Sequence, residues 1–514
     1  MLRRGEILKT GMRRIRFGSR NSSMIGVADN PPAPAFPPGP APAPGAPVSR
    51  GVVVEARPGL WHFPARGRGP FLLCGALVMA AILAGCGGLP PVYVQLGAGG
   101  GPAPRSYPGL IAADEPQATL AARNILFAGG NAVDAAVALG FALAVTLPSS
   151  AGLGGGGACI VHDAGTGRTE ALDFTARAAP SEGAARFRTA IPALSRGLFA
   201  LHAKYGRLPW AQLVAPAESL ARFGQSVSRA FAAALAADGG VLADDPMALA
   251  AFMTPRRQLL QTGDALKQIN LAATLGRLRA RGPVDFYAGT PGNQLEAGGG
   301  ARSAADLRAT APQWLPAVIV NQGATRLYAL PPGIGANDFA AAFAEASPPP
   351  TPDERAVSGS TALVVADLRG SAVACGLSMG RPFGLGISPP GTGFLSAPAP
   401  DVPTDDRAND RAAFAPVIGL KAADQEMHFA VAASGLGAET EATATARKLA
   451  RKLARGAGES AAPDTGTKVS PRHSALVNFL TCGANESIAV QDCRAQNDPR
   501  GAGYAIILGP KELR

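Results

Sequence analysis

The clearest periodic signal begins near residue 115. From Glu115 to Phe127 apolar positions recur at helical spacing, and Gly129-Gly130 stops the pattern. A second, almost wholly apolar helix is expected from about Ala132 to Leu147, ended by Pro148. After Ser149-Ser150-Ala151-Gly152-Leu153 and the run Gly154–Gly157, the period changes to that of strands. Ala158–His162 and Thr169–Phe174 read as a hairpin closed by Asp163-Ala164-Gly165-Thr166-Gly167. Helical patterns return over 194–205, 210–222 and 228–237, and Leu327–Leu330 reads as a short strand. Pro348-Pro349-Pro350 opens a polar linker to Gly359. Ser360–Asp367 and Ser371–Ser378 then form a strand pair around Leu368-Arg369-Gly370, and Phe414–Leu420 with Met427–Ala433 another. A helix from Glu439 to about Arg455 carries a basic, weakly amphipathic repeat that reads as a solvated face, with a membrane-surface role as the lesser alternative. Blocks of strands and helices alternating in this way predict an α+β or layered α/β fold.

Composition then narrows the picture. The chain has 514 residues, 47% of them apolar and 17% charged, which provides a core, excludes global disorder and argues against a long coiled coil. Its net charge of +11 suggests an anionic partner. The charge is unevenly placed, however: residues 1–69 hold eleven basic and three acidic side chains around the proline-rich stretch Pro31–Ser49. Arginines spread around a proline-rich stretch give only a weak nucleic-acid signature, so no nucleic-acid partner is expected.

Residues 71–85, FLLCGALVMAAILAG, are fifteen uncharged positions behind Arg66 and Arg68. That is short of the ~20 residues a membrane span needs and suits a signal-peptide h-region; the alternative is a buried helix. Leu83-Ala84-Gly85-Cys86 matches a bacterial lipobox, so Cys86 is the expected lipidation site and a lipid-anchored periplasmic location is expected. The expected organisation is a disordered extension at 1–69, a signal h-region at 70–85, a tether at 86–108 and two parts at 109–359 and 360–514. In an oxidising compartment Cys482 and Cys493 are close enough in sequence to pair, whereas Cys159 and Cys375 sit in apolar strands and read as core.

The chemistry-bearing residues exclude several mechanisms. The five histidines form no close pair and no HExxH, so no metal site and no cofactor is expected. Gly154–Gly157 is followed by a strand and lacks a Gly-Lys-Ser/Thr, so these glycines read as close backbone approaches or positive-φ positions. Ser360 stands at the first position of a strand after a linker and a glycine. If the chain is cut before it, its freed α-amine, with a pKa of about 8, lies beside its own hydroxyl and serves as base. On local sequence alone, a strand cap after a loop is the stronger reading of Ser360.

Longer motifs bear on that choice. Gly109-Leu110-Ile111-Ala112-Ala113 through Gly129-Gly130-Asn131-Ala132-Val133-Asp134-Ala135-Ala136, then Pro148-Ser149-Ser150 with Gly152–Gly157, and then His202-Ala203-Lys204-Tyr205-Gly206-Arg207-Leu208-Pro209 closely resemble the γ-glutamyltranspeptidase family. Phe286-Tyr287-Ala288-Gly289 and Leu330-Pro331-Pro332 continue the match. The resemblance runs over about 109–332 and 360–395. It implies a four-layer α/β/β/α sandwich of the N-terminal-nucleophile hydrolase type and a precursor that cuts itself into large and small subunits. It further implies that Ser360 is the nucleophile, that Ser378 holds the freed amine, and that Gly435 and Leu436 supply an oxyanion loop. The substrate would be a small amide.

The departures lie in substrate recognition. The family's substrate arginine is displaced to Arg177. The acidic segment that holds the substrate amine is reduced to Asp401, and the serine-rich stretch for the α-carboxylate becomes Ala412-Ala413-Phe414-Ala415-Pro416. Two readings follow: a self-cleaving amidohydrolase or acyltransferase acting on γ-glutamyl or related amides, or a catalytically degenerate member kept as a binding or structural lipoprotein.

Overall fold

The computed structural model describes residues 109–178, 189–289, 304–335, 339–345, 359–400, 413–454, 475–482 and 493–508. The expected extension, h-region, Cys86 and tether lie outside these residues, as do the glycine-rich stretch 291–300, most of the linker before Gly359, and Asp401.

The described residues open with strand β1 (Gly109–Ala113), followed by helices α1 (Pro116–Phe127) and α2 (Ala132–Thr146). Both helices have physical starts. Glu115 caps α1 by accepting the Ala118 N–H at 2.7 Å, and Asn131 with Asp134 forms a reciprocal capping box on α2. Every residue of α2 is buried, as its apolar composition predicts. The family-like motifs are largely structural glue here. Asp134 also accepts the Arg207 N–H at 2.9 Å, and the Asn131 amide donates to the Tyr205 carbonyl at 2.7 Å.

Strands β2 (Gly156–Asp163) and β3 (Arg168–Phe174) form the first hairpin. Helices α3 (Leu194–Tyr205), α4 (Trp210–Phe223) and α5 (Arg229–Asp238) follow, close to their expected bounds. A small pair, β4 (Gln225–Ser226) and β5 (Ala265–Leu266), precedes α6 (Ile269–Ala288), which kinks at Gly282 before Pro283. Next come β6 (Gln313–Pro316), β7 (Val318–Gln322), β8 (Thr325–Ala329) and α7 (Phe339–Glu345). The later part holds β9 (Ser360–Asp367), β10 (Ala372–Ser378), β11 (Phe414–Lys421), β12 (Met427–Ser434), α8 (Ala438–Ala454), β13 (Leu476–Thr481), β14 (Arg494–Gln496) and β15 (Tyr504–Ile507).

Among the described residues, beside the β4–β5 pair, two large antiparallel sheets result. One has seven strands in the order β15-β1-β9-β10-β2-β3-β6, and the other six in the order β14-β13-β12-β11-β8-β7. Side chains alternate across each sheet, so each contributes to two apolar layers. Ile111, Leu363, Val365 and Val373 face α1 and α2, whereas Leu110, Ala362, Val364 and Ala374 face Ile418, Ala430 and Leu480 of the other sheet. Val417, Phe429 and Val431 then pack against Phe339 and Ala442 on the far side. These are the four layers α/β/β/α.

Two expectations are corrected. Cys159 and Cys375 are buried, but they form a disulfide; each stands opposite the other in the β2–β10 ladder, with Cα atoms 4.1 Å apart. Cys482 and Cys493 are also paired. Helix α8 is more than a solvated basic repeat, since Ala438, Ala442, Ala446, Leu449 and Ala450 are buried against the six-stranded sheet.

Candidate active site

β9 and β10 are neighbours in register, with Ser378 directly opposite Ser360. Their hydroxyls therefore meet at the same end of the sheet: Ser360 Oγ donates to Ser378 Oγ at 2.9 Å. Both side chains are buried, and the Ala413 N–H donates to Ser360 Oγ at 3.2 Å. Ser378 Oγ accepts the Gly380 N–H at 2.9 Å, which leaves its own proton to donate to the Gly359 carbonyl at 3.3 Å. That carbonyl also accepts the Met379 N–H at 2.8 Å. The carbonyl preceding Ser360 thus has two donors on its oxygen and a serine hydroxyl beside it.

Glycines make this close approach physically available. A Cβ on Gly359 would lie 2.1 Å from the Arg381 carbonyl, and one on Gly155 would lie 2.3 Å from the Ser378 backbone carbonyl oxygen. The Gly154–Gly157 run therefore acts through close backbone approach, and Gly156 pairs with Ser378.

Of the remaining expected site residues, Gly435 and Leu436 follow β12 directly. The Gly435 N–H is already bonded to the Ala413 carbonyl at 2.9 Å, which corrects its expected role as an oxyanion donor; among the described residues the Leu436 N–H has no partner. Arg177 ion-pairs with Asp173 at 2.7 Å, and Asp173 also binds the Thr175 hydroxyl at 2.7 Å. This guanidinium is held by its own β3 carboxylate and makes no hydrogen bond to Ser360. Asp401 lies outside the described residues.

The sequence reading missed Ala413, Met379 and a buried polar cluster. Asp114, 7% exposed, accepts from Thr361 Oγ1 (2.8 Å), the Ala362 N–H (3.0 Å) and Ser434 Oγ (3.1 Å) on Oδ2, and from Asn478 Nδ2 (2.7 Å) on Oδ1. One signal was present: Asn478 is a lone amide inside the apolar strand Leu476–Thr481, and such a group has to find a partner. Among the described residues no cluster of metal-ligating side chains occurs.

Comparison with known proteins bears on family and fold. Residues 118–337 match the family model described as Gamma-glutamyltranspeptidase. Glutathione hydrolase 3 of Arabidopsis thaliana is 30% identical over 243 residues, covering 44% of this chain and 38% of that protein. The glutathione hydrolase proenzyme of Escherichia coli (strain K12) is 34% identical over 209 residues, covering 37% of this chain and 36% of that protein. The chain thus matches well under half the length of these relatives. In fold it is similar to the cephalosporin acylase from Bacillus halodurans, with a TM-score of 0.61 at 18% identity, over 80% of this chain and 99% of that one. Residues 118–337 are thus similar to the γ-glutamyltranspeptidase family, and the layered sheets have the fold of the cephalosporin acylase.

Proposed function

We propose that the protein is a self-cleaving amidohydrolase or acyltransferase with Ser360 as nucleophile. The observation that carries this reading is the placement of Ser360 Oγ beside a Gly359 carbonyl that accepts from Met379 and Ser378. Attack of Ser360 Oγ on that carbonyl carbon passes through an oxyanion, which those two donors stabilise. The Gly359–Ser360 C–N bond then breaks, nitrogen takes the proton from the attacking hydroxyl, and an ester remains. Water hydrolyses the ester and leaves chains ending at Gly359 and beginning at Ser360.

The freed α-amine, with a pKa of about 8, becomes the general base for the same hydroxyl, and Ser378, paired with Ser360 and bonded to its hydroxyl at 2.9 Å, is the group assigned to hold that amine. In turnover Ser360 forms an ester with the acyl part of a small amide. The amine leaves carrying the transferred proton, and water or an acceptor amine resolves the acyl-enzyme. The Leu436 N–H is the remaining oxyanion donor offered by the turn after β12. The substrate is a γ-glutamyl or related amide. The pairing of Arg177 with Asp173 favours an acyl group other than an unmodified γ-glutamyl head, because a second carboxylate would have to displace the first. Lipidation at Cys86 and a periplasmic location complete the proposal, and the two disulfides fit an oxidising compartment.

The test is a reducing denaturing gel of the purified chain with N-terminal sequencing, alongside turnover of γ-glutamyl and glutaryl anilides. Two fragments, one beginning at Ser360, with both cleavage and turnover lost in Ser360→Ala, are expected. A chain that stays intact and inert on prolonged incubation overturns the reading.

A further inference from the structure

The cluster around Asp114 connects parts of the site that no local motif connects. Asp114 follows the last residue of β1, whose Ala113 pairs with Leu363, so its carboxylate reaches Thr361 and Ala362 on the neighbouring strand. Ser434 and Asn478 belong to β12 and β13 of the other sheet. Thr361 is one residue past the nucleophile, and Ser434 is one residue before Gly435. The Asn478 amide also donates to the Ala362 carbonyl at 3.2 Å, which closes the network back onto β9.

This carboxylate sits beside an otherwise apolar inter-sheet layer. Burial pushes its pKa above the ordinary 3.8, and its hydrogen bonds oppose that shift. Leaving such a group unsatisfied costs several kcal/mol on the usual scale, so all four donors are held tightly in place. Apolar packing between two sheets tolerates sliding, whereas a carboxylate bonded to both sheets does not.

On the reading of Ser360 as nucleophile, we propose that Asp114 is a positioning residue. It fixes the strand that carries Ser360 against the strand that delivers the Leu436 N–H, with Ser434 and Asn478 as its partners on the second sheet. Its action is geometric: it touches neither Ser360 Oγ nor the carbonyl under attack. Loss of any one link should loosen the distance between nucleophile and oxyanion donor and leave substrate binding unaltered.

The experiment compares wild type with Asp114→Asn, Ser434→Ala, Ser434→Thr and the double variant D114N/S434A. Self-cleavage half-time, kcat and KM are measured at a temperature where unfolding curves show each protein folded. Ser434→Ala, which removes a single peripheral hydroxyl, is expected to lower kcat at least tenfold with KM unchanged. Ser434→Thr, which retains the hydroxyl, is expected to restore most of the rate. Asp114→Asn is expected to slow cleavage and turnover at least tenfold, and the double variant to be no slower than Asp114→Asn alone. Single variants within twofold of wild type in kcat, or effects that multiply in the double variant, overturn the proposal while leaving Ser360 as nucleophile. A wild type that neither cleaves nor turns over overturns that nucleophile reading and this proposal with it.

Discussion

Cys159 on β2 and Cys375 on β10 face each other across one ladder, and a disulfide joins them over a sequence separation of 216. The proposed cut before Ser360 falls between them. The two resulting chains should therefore remain one covalent species. Cleaved protein, alkylated before denaturation, is expected as one band without reductant and two bands with it. Cys375→Ser should give two bands in both conditions and lower stability by about 2–5 kcal/mol. Two bands from unreduced, cleaved wild type would count against the tether.

Ser378 is expected to act on the scissile carbonyl before it acts on any substrate. Its hydroxyl donates to Gly359 at 3.3 Å and accepts from Ser360 at 2.9 Å. Removing one oxyanion donor typically costs a factor of about 100 or more in rate. Because the Met379 N–H remains, Ser378→Ala should slow self-cleavage roughly tenfold to a hundredfold on a gel time course. An unchanged half-time would remove Ser378 from the cleavage step.

Gly359 leaves no room for a side chain. A Cβ there would lie 2.1 Å from the Arg381 backbone and 2.6 Å from the Pro382 nitrogen. Gly359→Ala should shift the scissile peptide, destabilise the precursor by about 1–3 kcal/mol and suppress cleavage. Denaturant unfolding of the uncleaved form, together with the gel, checks both. A variant with wild-type midpoint and wild-type cleavage would show that the loop yields freely.

Acid should destabilise the protein through His428. Burial first, and Lys421 second, lower its pKa to about 4 from 6.5, so the ring stays neutral in the folded state. The unfolded chain protonates this histidine as pH falls through about 6.5, and the folded chain does so only near 4. Its contribution is full above about 6.5 and is lost as pH drops through that window. His162 is shifted in the same direction by burial. His428→Gln should flatten the urea-midpoint profile between pH 7 and pH 5 by on the order of 1–2 kcal/mol, allowing for partial solvent screening. A profile as steep as wild type would exclude His428 as the source.

Much of the fold was legible because its signals are local. Glu115, Asn131 and Asp134 cap helices within four residues of themselves, and the hairpins β2–β3 and β9–β10 close over short turns. The two strands that carry Ser360 and Ser378 followed from strand periodicity and one turn, whereas the link between the two serines came from the family resemblance. Less legible were β6, β7 and β13–β15, whose short strands gain their stability from sheet neighbours. The same holds for the kinked helix α6, where Gly282-Pro283 interrupts the period.

By itself, the sequence determined most of the helices and the longer strands, the family-like motifs and the serine placed after a glycine at a strand start. These depend on backbone propensity, caps and spacings of a few residues. Only the tertiary structure decided which groups face that serine. It bonded the Gly435 N–H to Ala413, tied Arg177 to Asp173 and joined Cys159 to Cys375. It also brought Asp114 to Asn478, which lies 364 residues away in the chain. Contacts of that separation arise only once two sheets pack face to face. Burial then decides them, because a polar group removed from water must find its partner wherever the fold supplies one.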